Sequence, residues 1–362
     1  MMKMRYPSYS QYIFIIFSFS LILVACNPVP IDVPLAITGL PATDGVHSSL
    51  LQVYFTDPSA LNTDTYEGGP DTYLAAAING ARFSVDMAAY SLNLWSIRDA
   101  LIHAYQRGVK VRMVMESDNM DVQEVQALKD TGIPIIGDQR EGLMHNKFMV
   151  IDQSEVWTGS LNFTVSGTYK DNNNLIRIQS SEVAEAYTCE FNEMFDEDLF
   201  GMDTGSTTPY PPLTINGTPV EIYFSPDDGV AERIIDLVNG AQESIYFMAY
   251  TFTSQDIGTA IIERAHAGVS VAGVMDTDQI LSNQGTEYDK FMQSGLDIRK
   301  DGNKGLMHHK VIIIDQKIVI TGSYNFTKSA EISNDENIVI IFSPDVATQY
   351  LQEFQKVYEQ GN

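Results

Sequence analysis

Basic residues are scarce in this sequence. Its 362 residues hold 22 Lys and Arg against 47 Asp and Glu, a formal charge of −25. Such a chain offers no broad basic track, so sequence-independent binding along a polyanion is disfavoured unless basic side chains gather locally. Cysteine is scarcer still, with only Cys26 and Cys189. Long apolar runs are also missing: Ile13–Ala25 is too short to span a bilayer comfortably. What remains, at 44% hydrophobic content, is enough apolar material for one large core or two domains of about 150 residues each.

The apolar run follows Lys3 and Arg5 and reads as a signal peptide over residues 1–25. Its end, Leu23-Val24-Ala25-Cys26, resembles the lipobox of bacterial lipoproteins. That resemblance implies lipidation of Cys26, with residues 26–50 a proline-containing tether and the protein extracytoplasmic, lipid-anchored to the bacterial cell envelope. Cys189 would then have no partner for a disulfide. Its helical surroundings, "AEAYTCEFNEMF", suggest a small buried hydrophobe.

The chain is duplicated. "GLMHNKFMVIDQSEVWTGSLNFT" at 142–164 and "GLMHHKVIIIDQKIVITGSYNFT" at 305–327 match at 15 of 23 positions without a gap. "MAAYSL" at 87–92 echoes "FMAYTF" at 247–252, and "LQVYFTDP" at 51–58 echoes "VEIYFSPD" at 220–227. Each half reads as strand, helix, strand, helix, strand, hairpin, helix, which predicts an α/β fold of two tandem α/β/α sandwich domains. The expected domains are 51–200 and 220–362, joined by a Gly-, Pro- and Thr-rich linker at 201–219. Two copies of one unit commonly pack about a pseudo-twofold axis, so that a residue near the axis meets its counterpart.

The repeated stretch carries His145, Lys147, Asp152, Gly159, Ser160 and Asn162, and then His308, Lys310, Asp315, Gly322, Ser323 and Asn325, at identical offsets. Side chains two apart on a strand share a face, so each His projects with its Lys while His309 points away. Around a dyad, two ammoniums, two hydroxyls and two carboxamides make a cage for a tetrahedral oxyanion. The two imidazoles supply a nucleophile and an acid for phosphoryl transfer. Asp152 and Asp315 sit where a strand meets a turn, so a purely local role stands beside a catalytic one. The acidic stretches "ESDN" at 116–119 and "DTDQ" at 276–279 invite a metal-site reading, but short acidic loops after strands are more simply solvated.

The pattern H-x-K-x4-D-x6-G-S-x-N, present twice, resembles the signature of the phospholipase D superfamily. The resemblance implies an α/β/α fold, a site between the halves, a covalent phosphohistidine, no cofactor and no required metal. It also implies His145 as nucleophile and His308 as acid. "ISNDENIVII" at 332–341 resembles the family's downstream pattern, with Glu336 expected among the substrate-binding residues and able to orient a histidine, whereas "KDNNNLIRI" has Asn173 at the equivalent place.

Three functions remain open: a phospholipid hydrolase releasing phosphatidic acid and a head group, a metal-independent endonuclease, and a binding protein that kept the cage. The charge and a membrane anchor favour the phospholipid as partner. Arg299, Lys300, Lys304, Lys310 and Lys328 gather around the second motif and keep nucleic acid open.

Overall fold

Both halves build the same sheet from the same alternation. The computed structural model describes residues 50–60, 65–201 and 210–361, so the signal peptide, Cys26 and nearly all of the tether lie outside the described residues. The first half runs β1 (Leu51–Phe55), α1 (Asp71–Gly80), β2 (Ser84–Ala89), α2 (Trp95–Gln106), β3 (Lys110–Met115), α3 (Gln123–Thr131) and β4 (Ile135–Gly137). It continues with β5 (Lys147–Ile151), β6 (Glu155–Gly159), α4 (Val165–Tyr169), β7 (Asn174–Gln179) and α5 (Ser181–Glu197). The second half runs β8 (Leu213–Ile215), β9 (Thr218–Ser225), α6 (Val230–Gly240), β10 (Ser244–Ala249), α7 (Gln255–His266), β11 (Ser270–Met275), α8 (Thr277–Ser282) and α9 (Tyr288–Gln293). It ends with β12 (Asp297–Lys300), β13 (Lys310–Ile314), β14 (Ile318–Gly322), α10 (Lys328–Ile332), β15 (Glu336–Phe342) and α11 (Pro344–Gln360).

The first sheet has the order β1-β7-β6-β5-β2-β3-β4, and the second has β12-β11-β10-β13-β14-β15-β9-β8. In each, the βαβ strands are parallel (β2-β3-β4, β10-β11-β12) and the hairpin strands antiparallel. Period-two alternation gives the central strands, such as β5 and β13, two buried faces. Along β5, Met149 and Ile151 join the outer core with α1–α3, while Phe148 and Val150 face inward.

The inner faces of the two sheets share one core. Val183, Tyr187 and Phe191 of α5 and Tyr350 and Phe354 of α11 lie in a single apolar cluster with Val156, Ile176, Val319 and Val339 from both sheets. Residues 48–362 therefore form one compact unit, with α5 and α11 as a helical layer between the sheets.

Two sequence expectations change. The end of the expected linker is folded, because Leu213–Ile215 pairs with Thr218–Val220 as a hairpin whose Asn216 and Gly217 take positive φ. Cys189 is exposed rather than buried, since the inward face of α5 is occupied by Val183, Ala186, Tyr187, Phe191 and Met194. Among the described residues no helix is long and apolar enough to cross a membrane.

Candidate active site between the two halves

Each histidine is placed by a short bridge that crosses the dyad. Asp335 N donates to Leu143 O (2.9 Å) and His145 N to Asp335 O (3.0 Å); in mirror image, Asn172 N donates to Leu306 O (2.8 Å) and His308 N to Asn172 O (2.9 Å). Gly142 and Gly305 permit this approach: a Cβ there would lie 2.2 Å from Ser333 O or 2.1 Å from Lys170 O. Buried carboxylates hold the same loops, Glu116 accepting from Met144 N and Asp276 from Met307 N, both at 3.0 Å. The acidic stretches after β3 and β11 thus anchor the histidine loops and are not simply solvated.

The two rings have unequal partners. His145 Nδ1 meets Glu336 Oε2 at 2.7 Å, and His308 Nδ1 meets Asn173 Oδ1 at 2.9 Å. Asn173 Nδ2 donates to Gly167 O, so the atom facing His308 is an acceptor and Nδ1 carries the proton. Glu336 accepts from the same position on His145, which leaves Nε2 of both rings for chemistry. Each orienting residue thus comes from the half opposite its histidine.

Lys147 and Lys310 are buried, and each Nζ spends one donor on the carbonyl of its own histidine, at 2.8 and 2.9 Å. Tyr90 packs edge-on to His145 and 4.9 Å from Lys147 Nζ; Tyr250 packs on His308 and 4.8 Å from Lys310 Nζ. Burial, reinforced by both lysines, pushes both imidazoles well below the usual 6.5. Burial also lowers Lys147 well below its usual range and Lys310 to about 7. Glu336 is raised by burial to about 7, against the pull of both lysines and of hydrogen bonds from Asn334 and Ser323. An arriving phosphodiester anion reverses the sign of this field and draws protons back onto the lysines and one imidazole.

The remaining expected site residues divide. Ser160 Oγ donates to Asn173 Oδ1 (2.9 Å) and accepts from Asn174 N (3.1 Å), and Ser323 Oγ accepts from Asn337 N (3.0 Å). Both hydroxyls are fully buried, so they lock the orienting residues instead of facing a ligand. Glu336, expected to touch substrate, is likewise committed to His145. Asn162 and Asn325 are half-buried and their Nδ2 donors are not spent on any neighbour among the described residues, so these donors, not the buried Oδ1 atoms, are the groups available to an anionic ligand.

Asp152 and Asp315 lie elsewhere. Each follows the far end of the strand that starts with the motif lysine, about 17 Å of extended chain away. The Asp152 carboxylate accepts from the amides of Arg82, Phe83 and Ser84, and that of Asp315 from Gln242, Glu243 and Ser244. With positive φ at both (52° and 50°), they open three-residue hairpin loops and tie down the chain entering β2 and β10. A catalytic role for them does not fit this position.

His309 points away from the cage, as its parity requires, toward Asn174 Nδ2 (3.1 Å) and Glu353 (3.4 Å). Its counterpart Asn146 accepts from Asn337 Nδ2 (2.7 Å). Gly159 and Gly322 let β7 and β15 pass close beneath: a Cβ would meet Asn174 O at 2.4 Å or Asn337 O at 2.1 Å.

Sequence reasoning left Tyr90, Tyr250, Asn174 and Asn337 without roles. The tyrosines stood in matching repeats, and the asparagines each follow an orienting residue, so position within the duplication was the available signal.

Fold and site together define a duplicated α/β protein with a paired histidine–lysine centre between its halves. A family model described as "Cardiolipin synthase, PLD-like domain" matches residues 74–195 and 234–358, once per half. The "Mitochondrial cardiolipin hydrolase" of Chlamydomonas reinhardtii is 33% identical over 127 residues, 35% of this chain and 56% of its own. The "Phospholipase D" of Rickettsia prowazekii is 33% identical over 165 residues, 46% of this chain and 80% of its own. The chain thus spans little more than half of the first relative and four-fifths of the second. Phosphatidylserine synthase from Haemophilus influenzae Rd KW20 shares the fold, with a TM-score of 0.61 at 13% identity over 80% of this chain and 83% of that one. The chain belongs to the phospholipase D superfamily.

Proposed function

We propose that this protein hydrolyses a phospholipid to phosphatidic acid and a free head-group alcohol in two displacements. His145 Nε2 attacks phosphorus and the P–O bond to the head group breaks, with His308 Nε2–H giving its proton to the departing oxygen. His308, now neutral, takes a proton from water. That water displaces His145 and releases phosphatidic acid. Lys147, Lys310 and the carboxamides of Asn162 and Asn325 face the phosphoryl oxygens, where most of the barrier reduction has to arise.

The unequal partners of the two rings carry the assignment. A phosphorylated imidazole that keeps its Nδ1 proton is cationic, and a buried carboxylate stabilises that cation through a charge-assisted hydrogen bond. Glu336 offers this to His145, while Asn173 offers His308 a neutral acceptor. A ring that must surrender its proton is better served by the weaker partner.

Lipid is favoured by the rim. Trp95 opens α2 just beyond Tyr90, Leu281 lies on α8 beside the Gln279 that contacts Tyr250, and Ile332 precedes the bridge to His145; all three are exposed. Exposed large apolar side chains on segments that adjoin the site residues in sequence suit a lipid surface better than a nucleic-acid strand. Full-length protein in EDTA, given phosphatidylcholine vesicles or single-stranded DNA, tests this: choline release without DNA cleavage supports it, and the reverse selects the endonuclease. On the same reading a lipid on Cys26 would hold the site at a membrane, and palmitate labelling lost in Cys26→Ala tests that anchor.

A further inference from the structure

One residue governs both ends of His145. Asp335 N donates to Leu143 O and Asp335 O accepts from His145 N, while the next residue along the chain is Glu336, which holds Nδ1 of the ring. A shift of residue 335 therefore moves the loop and the partner of the ring together. Asn172 stands in the same relation to His308, with Asn173 following it.

The side chains at these two positions are fastened differently. Asp335 is buried, and its carboxylate accepts from Gly201 N (2.6 Å) and from the guanidinium of Arg140. Arg140 also donates to Ser333 O (2.6 Å), so it grips two residues of the opposite half just before β15. Its planar group is enclosed. A Cβ on Gly142 or on Gly201 would lie 2.4 Å from Nη1, the Phe200 ring lies 6.0 Å from the guanidinium carbon, and Asp138 Oδ2 is 3.9 Å from Nε. In the duplicate, Asn303 stands for Arg140 and Asn172 for Asp335. Asn303 Nδ2 reaches main-chain oxygens, Lys170 O (3.0 Å) and Leu306 O (3.2 Å), and the buried Oδ1 of Asn172 has no partner among the described residues. The ion pair that fixes one bridge is thus replaced in the other by two neutral amides.

We infer that Arg140 is a positioning residue for His145: through Asp335 and Ser333 it holds that ring and Glu336 in one geometry, while the loop of His308 is left looser. A planar guanidinium with two prongs engaged fixes direction as well as distance, which a single amide does not. Burial pushes the Asp335 carboxyl up to about 6 against the pull of Arg140 and of Gly201 N, so its ionised form at neutral pH leans on that guanidinium. The kinetic consequence rests on the reading of His145 as nucleophile. An attacking atom must stand about 3–3.5 Å from phosphorus and in line with the leaving oxygen, and about 1 Å of misplacement costs about a hundredfold. An acid can deliver its proton directly or through one water, so it tolerates more freedom.

Arg140→Asn/Asp335→Asn rewrites this flank as its duplicate, a pair that the same fold already accommodates beside His308, and it removes one charge of each sign. Two readouts are taken on the full-length protein. In the first turnover of bis(p-nitrophenyl) phosphate, release of p-nitrophenolate should slow at least about tenfold. In protein carrying isotopically labelled histidine, the Nδ1–H proton resonance of His145, assigned by its loss in His145→Ala, should broaden or vanish while that of His308 is retained. Arg140→Ala should regain part of its first-turnover rate in millimolar methylguanidinium chloride and none in methylammonium chloride. Where the double variant does not fold, Arg140→Lys, which keeps the charge and loses the fork, carries the same two readouts. A first turnover within about threefold of wild type, or a His145 resonance as sharp as in wild type, overturns the inference. Equal broadening of both rings also overturns it, because that marks general loosening. A covalent phosphate on His308 of the wild-type enzyme removes the nucleophile reading instead; the His145 resonance alone then decides whether Arg140 positions that ring, broadening supporting it and no change overturning it.

Discussion

Replacing Glu336 by Gln keeps the shape of the group that holds His145 and removes its charge. Glu336 is fully buried and lies 2.7 Å from Nδ1, so no solvent compensates the loss. A charge-assisted hydrogen bond contributes about 1.5–3 kcal/mol and a neutral one about 0.5–1.5, which sets the lower bound of the effect near 1 kcal/mol. Coulomb attraction between a carboxylate and a cationic ring about 4 Å apart reaches about 4 kcal/mol at an effective dielectric of 20, which sets the upper bound. Formation of the covalent intermediate should therefore slow by about fivefold to a thousandfold. Bis(p-nitrophenyl) phosphate isolates that step, because p-nitrophenolate leaves without a proton. Rapid-mixing kinetics should show a slower burst in Glu336→Gln. Asn173→Ala, which loosens His308, should keep the burst and slow the steady state that follows. The reasoning is refuted if Glu336→Gln bursts within threefold of wild type, or if Asn173→Ala is the variant that loses the burst.

His308→Ala should lose about 10²–10⁴-fold on an alkyl phosphodiester and far less on the activated aryl one, whereas His145→Ala should lose activity on both. For pH dependence on the activated aryl diester, which needs no proton from His308, the site needs neutral His145 and charged Lys310. With His145 lowered well below 6.5, kcat/KM should hold on the acid side of neutrality; with Lys310 at about 7, it should fall as pH rises through 7 and the ammonium is lost. An acid limb above pH 6.5 would contradict that assignment. Asp152→Ala should cost about 1–3 kcal/mol in urea denaturation, because three backbone amides lose their acceptor, while kcat per folded molecule stays within about threefold. Gly305→Ala would put a Cβ 2.1 Å from Lys170 O and should shift the His308 loop, cutting kcat at least about tenfold with a cost near 1–3 kcal/mol in stability.

Duplication made much of this legible before any coordinates. His145, Lys147, His308 and Lys310 recur at one offset, and strand parity alone separates His308 from His309. The strand-and-helix alternation likewise implies the two sheets. Alignment of "DNNN" with "NDEN" exposed the Glu336–Asn173 difference, but not which histidine each serves, because the pairing crosses the dyad and no local spacing encodes that. Ser160 and Ser323 look like ligand groups in sequence; the close passage of β7 and β15 under Gly159 and Gly322 spends their hydroxyls on the orienting strands. Asp152 and Asp315 share the motif's spacing but stand at the opposite end of a strand, where the turn and the amides of the preceding loop claim them. The shared core was hidden for a related reason: α5 and α11 each read as an ordinary amphipathic helix, and only packing shows that both fill the space between two sheets.

The central claim is that two imidazoles act on one phosphorus and that the bond forms to His145. Acid-sensitive phosphohistidine is best sought by quenching His308→Ala during turnover of an activated diester, digesting at neutral to alkaline pH and mapping the mass shift. The account predicts a phosphoryl adduct on the peptide containing His145 and none on the corresponding peptide of His145→Ala. An adduct found on His308 of His145→Ala, or unmodified His145 in a His308→Ala enzyme that is still turning over, would contradict it.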